Sequence, residues 1–197
     1  MDVMDRTTEL RLVEGLRNGE PEAFDAVFEA YRARVFAFLL RLSRQRTLAE
    51  DLLDEIWLRL VANARALRPD TRLAPWLFTV ARNLYWSHRR SVILEEGENS
   101  GLLGLTFCPA NWPSPFDLAA AGELEARVER ALAALPPQQR EVLLLVAFEG
   151  LSPTQAAGVC GTTPEATRQR LSRARAALAE ALERPRFSRV PRRSYAT

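Results

Sequence analysis

The chain has no lysine: all 27 of its basic residues are arginine, so every cation is a planar guanidinium able to grip phosphate or a base edge with two parallel hydrogen bonds. Cysteine is nearly absent. Cys108 and Cys160 stand far apart with no CxxC spacing, which excludes a zinc ribbon and a disulfide framework. A single histidine, His88, has no companion group of a catalytic site and reads as a surface or polar contact residue. There is no GxxxxGK[ST] loop, and the carboxylates fall on amphipathic stretches as solvated faces, so no enzyme, cofactor or metal is expected. The longest purely apolar run, Val142 to Phe148, is too short to span a bilayer, and the start MDVMDRTTEL has no signal-peptide core. A cytoplasmic protein is the expectation. No segment alternates with period two for long, which leaves little room for sheet.

What is present is helix, with charge laid out in blocks. A net charge of +2 over 197 residues hides nine arginines between Arg168 and Arg193 against only Glu180 and Glu183. From Arg90 to Arg127 there is no intervening basic residue, while Glu95, Glu96, Glu98, Asp117, Glu123 and Glu125 are acidic. Contact with nucleic acid is therefore to be sought segment by segment. Four helical stretches precede residue 92. A modest amphipathic start, Leu10 to Leu16, leads into Phe24, Val27, Phe28, Tyr31, Val35, Phe38, Leu39 and Leu42, spaced i, i+3, i+4, i+7. Thr47 and Glu50 read as a capping box for a third helix, which carries Leu48, Leu52, Leu53, Ile56, Trp57, Leu58, Leu60 and Val61, more apolar surface than one stripe requires. A fourth begins near Pro75 as WLFTVARNLYWSHRRS, with Trp76, Leu77, Val80 and Leu84 spaced as core.

Gly97, Gly101, Gly104, Pro109, Pro113 and Pro115 then break the pattern. Helical segments resume at Leu124 to Leu135 and, after Pro136-Pro137, at Gln138 to Phe148. Leu151 to Leu182 has the grammar of a helix-turn-helix. Ser152 caps a helix opened by Pro153, with Gln155 completing a capping box. Gly161 supplies the left-handed stop, and Thr163 caps a second helix opened by Pro164. Leu171, Ala174, Leu178 and Leu182 form that helix's apolar stripe, leaving Arg168, Gln169, Ser172 and Arg173 largely off it. On the residues alone this face is either a solvated basic surface or a reader of the major groove.

Three stretches, AEDLLDEIWLRLV (Ala49 to Val61), PWLFTVARNLYWSHRRS (Pro75 to Ser91) and LPPQQREVLLLVAFEGLSPTQAAGVCGTTPEATRQRLSRARAAL (Leu135 to Leu178), in this order and spacing, resemble bacterial RNA polymerase sigma factors of the extracytoplasmic-function group. The resemblance covers Ala23 to Ser91 and Leu132 to Leu182. It implies an all-α fold of two small helical domains: residues 1–92 for binding core polymerase and the melted minus-ten element, and residues 123–183 for the duplex minus-thirty-five element. An acidic linker, 93–122, joins them, and a basic tail, 184–197, follows. It also implies a partner set of core RNA polymerase, promoter DNA and an anti-sigma factor.

Residue by residue, the resemblance puts the polymerase clamp helices against the Ala49 helix. There Glu50, Asp51, Asp54 and Glu55 supply steering charge, and Leu53 and Trp57 supply anchors unless they pack in the core. Minus-ten capture needs phosphate neutralisation and base stacking. The resemblance assigns it to Arg82, Asn83, Trp86, Ser87, His88, Arg89 and Arg90, with Arg68, Asp70, Thr71 and Arg72 forming a preceding base pocket. Ser87 and Arg89 stand where the family commonly has Asp and an apolar residue, so base preference does not transfer. Minus-thirty-five reading falls to Thr163, Arg168, Gln169, Ser172 and Arg173. Thr162, Ala166 and Thr167 depart from the family's usual apolar, Thr, apolar pattern, which bears on how the helix seats in the groove. About thirty linker residues span roughly 30 Å as a coil, enough to serve two promoter elements. A stand-alone regulator with a sensing N-terminal domain would explain the helix-turn-helix. It would leave the Ala49 and Pro75 helices without a purpose. A module that binds polymerase without reading promoters is the third reading.

Overall fold

Asp5 starts the first helix: its carboxylate accepts the backbone N–H groups of Thr7 at 2.9 Å and Thr8 at 3.0 Å, donors that a helix leaves unpaired at its N-terminus. In this computed structural model, which describes residues 4–99 and 122–183, the helix is α1 (Arg6–Asn18) and ends at Gly19 with φ of 79°. The second helix, α2 (Pro21–Ser43), opens on a proline in its first turn and stops at Arg44, whose φ of 63° is the one left-handed non-glycine among the described residues. The third, α3 (Arg46–Asn63), departs from the expected start. No capping box forms at Thr47 and Glu50. The Ser43 hydroxyl instead bonds the N–H and C=O of Gln45, tightening the α2–α3 turn so that the helix begins two residues early; Glu50 then pairs with Arg46 at 2.9 Å one turn back.

A short 3₁₀ turn, Ala64–Ala66, and the loop after it lead to α4 (Leu73–Asn99), which starts before Pro75 and continues past Ser91 to the end of the described segment. Val13 and Leu16 of α1, Val35, Phe38 and Leu39 of α2, Ile56 and Leu60 of α3, and Leu77, Phe78 and Ala81 of α4 are all buried in one core. Phe38 and Phe78 meet edge to face at 5.2 Å, worth about 0.5–1.5 kcal/mol beyond the area they bury.

The second segment forms α5 (Glu123–Ala134), α6 (Pro137–Leu143) running into a π-helical turn at Leu144–Phe148, α7 (Pro153–Cys160) and α8 (Pro164–Glu183). The caps of the helix-turn-helix form as the spacing requires. Ser152 Oγ accepts the Gln155 N–H at 3.2 Å while Gln155 Oε1 accepts the Ser152 N–H at 2.9 Å. Gly161 adopts φ of 60°, and Thr163 Oγ1 accepts the Ala166 N–H at 3.1 Å.

The described residues therefore make eight α-helices and no strand. The two helical units are not held apart: α4 packs on α7, and α2 packs on α5 and α6. The expected acidic linker of 93–122 lies outside the described residues apart from the last turns of α4 and residue 122. The basic tail lies outside them altogether.

Candidate nucleic-acid interface

On α8, Thr167, Leu171 and Ala174 face inward while Arg168, Gln169, Ser172 and Arg173 are exposed along the opposite side, with Thr163 exposed at the helix start. The start of the helix thus sets a positive dipole beside planar donors. Arg168 is not loose. Glu165 accepts from its Nη2 at 2.7 Å and also from Gln169 at 3.4 Å, and these bonds hold the Glu165 carboxyl below its usual range. The seating of α8 has a cost visible at Thr167, which is fully buried with no partner for its Oγ1.

On α4, two of the side chains assigned to the melted strand, Arg82 and Trp86, meet the second unit. Arg82 Nε stands 2.8 Å from Glu141 Oε1, an ion pair whose N–H is not aimed for a full hydrogen bond, and the Trp86 indole donates to the same oxygen at 3.3 Å. Glu141 is 1 % exposed, and burial pushes its carboxyl up despite Arg82, Trp86 and Arg170. Burial beside that carboxylate pushes the Cys160 thiol up to about 12, so it is an inert packing residue. Arg82, Trp86, Arg90, Glu141 and Arg170 border a cleft of about 650 Å³ at this junction. Asn83, Ser87, His88 and Arg90 remain exposed; Arg90 donates to the Ser87 hydroxyl at 3.2 Å, and Arg89 lies over the Trp86 ring at 5.7 Å.

The loop before α4 carries Arg68, Asp70, Thr71 and Arg72. Arg68 forms a two-pronged pair with Asp70 at 3.0 and 3.2 Å, which keeps the Asp70 carboxyl low. The loop is anchored by α1, through residues that no motif marked. Arg6 donates to the carbonyls of Asp70 at 2.9 Å and Thr71 at 3.2 Å, and buried Glu9 accepts the Leu73 N–H at 2.8 Å.

On α3, Asp51 and Asp54 are exposed, and Leu53 and Glu55 half-buried. Trp57 is not on the surface. It is 7 % exposed, packed against Phe28 at 4.9 Å and Phe24 at 6.3 Å, with its indole N–H unpartnered. This corrects its reading as an exposed anchor: the aromatic ring goes inward because two phenylalanines of α2 receive it. The apolar side chains left in solvent are Leu58, 66 % exposed, and Val61, 61 % exposed. The excess of apolar residues on this helix was the available signal for them.

A helix-turn-helix with an open arginine face, set on a second helical bundle with its own arginine and aromatic face, defines a two-part DNA-binding protein. No helix among the described residues is long and apolar enough to cross a membrane, and they contain no group of acidic, cysteine or histidine side chains placed to hold a metal. Residues 27–92 match the family described as Sigma-70 region 2, and residues 125–178 match Sigma-70, region 4. The chain is similar to the ECF RNA polymerase sigma factor EcfG of Rhodopseudomonas palustris, 35 % identical over 74 % of this chain and 77 % of that one. It is also similar to the RNA polymerase sigma factor CarQ of Myxococcus xanthus, 32 % identical over 86 % of this chain and 95 % of that one. Among solved structures, the sigma factor RpoE in complex with the anti-sigma factor NepR, from Bartonella quintana, matches with a TM-score of 0.66 at 27 % identity, covering 83 % of this chain and 98 % of that one. The chain belongs to the extracytoplasmic-function sigma factors of RNA polymerase. Its activity is to direct promoter-specific transcription initiation by core polymerase.

Proposed function

We propose a division of that activity among three faces of this chain. The α8 face of Arg168, Gln169, Ser172 and Arg173, with Thr163 at its start, reads the duplex minus-thirty-five element. Arg82 to Arg90 of α4, with the loop of Arg68, Asp70, Thr71 and Arg72, captures the melted minus-ten strand. The acidic and apolar side of α3 docks on the clamp helices of the largest polymerase subunit, through Asp51, Asp54 and Glu55 for steering and Leu58 and Val61 for contact, beside half-buried Leu53. The observation that carries this reading is the exposure of the four groove-facing side chains on α8 while Thr167, Leu171 and Ala174 seat the helix behind them. The division we propose is residues 1–92 and 123–183 joined by 93–122, a reading supported by the family matches over 27–92 and 125–178. The protein acts in the cytoplasm, where polymerase and DNA are, and performs no catalytic step of its own. An anti-sigma partner is part of the proposal, supported by the likeness to a sigma factor solved in complex with one.

The test is reconstitution. Added to sigma-free core polymerase, the chain produces transcripts starting at defined promoters. Binding to duplex DNA unaided, with no programming of the core enzyme, would instead identify a stand-alone regulator.

A further inference from the structure

Arg82, Trp86 and Arg90 recur at steps of four, so α4 carries two guanidiniums and an indole along one face. Across the junction α8 supplies a third guanidinium. Arg170 follows buried Thr167 by three residues and precedes buried Ala174 by four, which places it at the inward edge of the helix. It is half-buried, where Arg168 and Arg173 are exposed, and it belongs to neither proposed DNA-contacting face. These side chains border the cleft of about 650 Å³ between α4, α6, α7 and α8, a volume within the range of roughly 300–1,000 Å³ found for small-molecule sites.

The cleft is cationic because three guanidiniums meet one carboxylate, Glu141. That carboxylate is already engaged. Its Oε1 faces Arg82 Nε at 2.8 Å and accepts the Trp86 N–H at 3.3 Å, whereas Arg170 acts on it only through space, with no ion pair among the described residues. Arg90 donates to the neutral Ser87 hydroxyl at 3.2 Å. Arg90 and Arg170, one from each helical unit, are thus left without a counterion among the described residues, and their flat forks match the oxygens of a phosphate in two-pronged pairs. Arg89 covers one face of the Trp86 ring at 5.7 Å, backing it with a cation while the ring borders the cleft. Beside it, Asn83 and Gln138 bring amides that both donate and accept, and Thr162 a hydroxyl, groups that hydrogen-bond a base edge or a ribose. We propose that this cleft binds a nucleoside diphosphate, its phosphates bridging Arg90 and Arg170 and its base lying against the Trp86 ring. The nucleotide supplies the negative charge that the cleft itself lacks.

Isothermal titration of the full-length chain with ADP, GDP, inorganic pyrophosphate and adenosine tests this. At least one of the nucleotides is expected to bind at a single saturable site, with pyrophosphate at least about fivefold weaker for lack of a ring to stack and adenosine at least about tenfold weaker for lack of phosphate. Arg170→Gln and Arg90→Gln should each lower nucleotide affinity at least about tenfold. Arg175→Gln removes the same charge from an exposed position of α8 outside the cleft, and should change that affinity by less than about twofold. Arg90 is exposed and has no part in the core, so its variant decides the matter if Arg170→Gln fails to fold; thermal melts followed by dichroism read the fold of each. Binding by neither nucleotide overturns the site. Equal losses in Arg175→Gln and the cleft variants reduce the binding to general attraction between arginine and phosphate, and overturn it too. Pyrophosphate as tight as the nucleotide overturns the assignment to a nucleoside.

Discussion

Leu73 donates its backbone N–H to Glu9 Oε1 at 2.8 Å, so a side chain of the first helix caps the fourth from 64 residues away. The same carboxylate receives Arg6 at 2.6 Å and lies 3.7 Å from Arg72. One buried acid therefore sets where α4 begins and how the loop of Arg68 to Arg72 lies beside it. Glu9→Ala leaves the Leu73 donor unpaired and should destabilise the protein by about 1–3 kcal/mol in urea unfolding. It should also weaken minus-ten capture more than minus-thirty-five binding. Equal losses at both elements would count against the positioning role.

Thr167 presents the opposite situation, a fully buried hydroxyl with no partner. Valine has nearly the same shape without the polar group. Thr167→Val is expected to stabilise the C-terminal unit by about 1 kcal/mol, seen as a higher urea midpoint at unchanged slope. A loss of stability would mean that the hydroxyl has a partner in solution.

The pH dependence follows from Glu141 and Glu149, both raised by burial against the pull of neighbouring guanidiniums. Glu141 faces Arg82 and Trp86 of α4, Cys160 of α7 and Arg170 of α8; Glu149 faces Arg34 and Arg41 of α2. A carboxyl whose folded value is raised binds its proton more tightly in the folded chain. Its contribution is therefore fully present below the usual carboxylate range and is lost as pH rises through the raised value. Relative to a Glu141→Gln/Glu149→Gln variant, the wild type should lose stability as pH rises above the usual carboxylate range in parallel urea titrations. A constant difference across that range would refute the assignment.

Leu58 and Val61 are the exposed apolar side chains of α3, and Trp57 is inside. Leu58→Asp/Val61→Asp should lower affinity for core polymerase at least about tenfold while leaving the thermal midpoint nearly unchanged, as expected for contacts at an interface centre. Trp57→Ala should instead cost about 3–5 kcal/mol of stability, as a large core truncation does. Pull-down with core polymerase beside thermal melts separates the two effects.

Arg173 is exposed with no assigned ion pair, whereas Arg168 is held by Glu165. If Arg173 grips a base edge, Arg173→Ala should cost about 1–3 kcal/mol on the preferred duplex and relax preference at one position. Uniform weakening across sequences, with a shallower salt dependence, would make it a phosphate contact. Competition binding against a panel of single-base changes distinguishes them.

Local rules were enough for much of this protein. Ser152 with Gln155, Gly161 with φ of 60°, and Thr163 before Pro164 are short-range chemistry, and they place the helix-turn-helix without reference to anything distant. The stripe of Leu171 and Ala174 likewise decides which side of α8 carries its arginines, because helical periodicity is intrinsic to the chain. The start of α3 departs from its local signal because the Ser43 bond to Gln45 outweighs the box that Thr47 and Glu50 spell out.

Tertiary structure decided the rest. Periodicity marks α3 as carrying more apolar residues than one stripe requires but cannot choose which of them finds a cavity, so Trp57 needed Phe24 and Phe28 to send it inward and leave Leu58 and Val61 outside. Glu9 and Glu141 looked like any solvated carboxylates in sequence. Only packing put Glu9 on the amide of Leu73 and Glu141 on Arg82 and Trp86, since pairings between residues so far apart in the chain leave no local pattern to read.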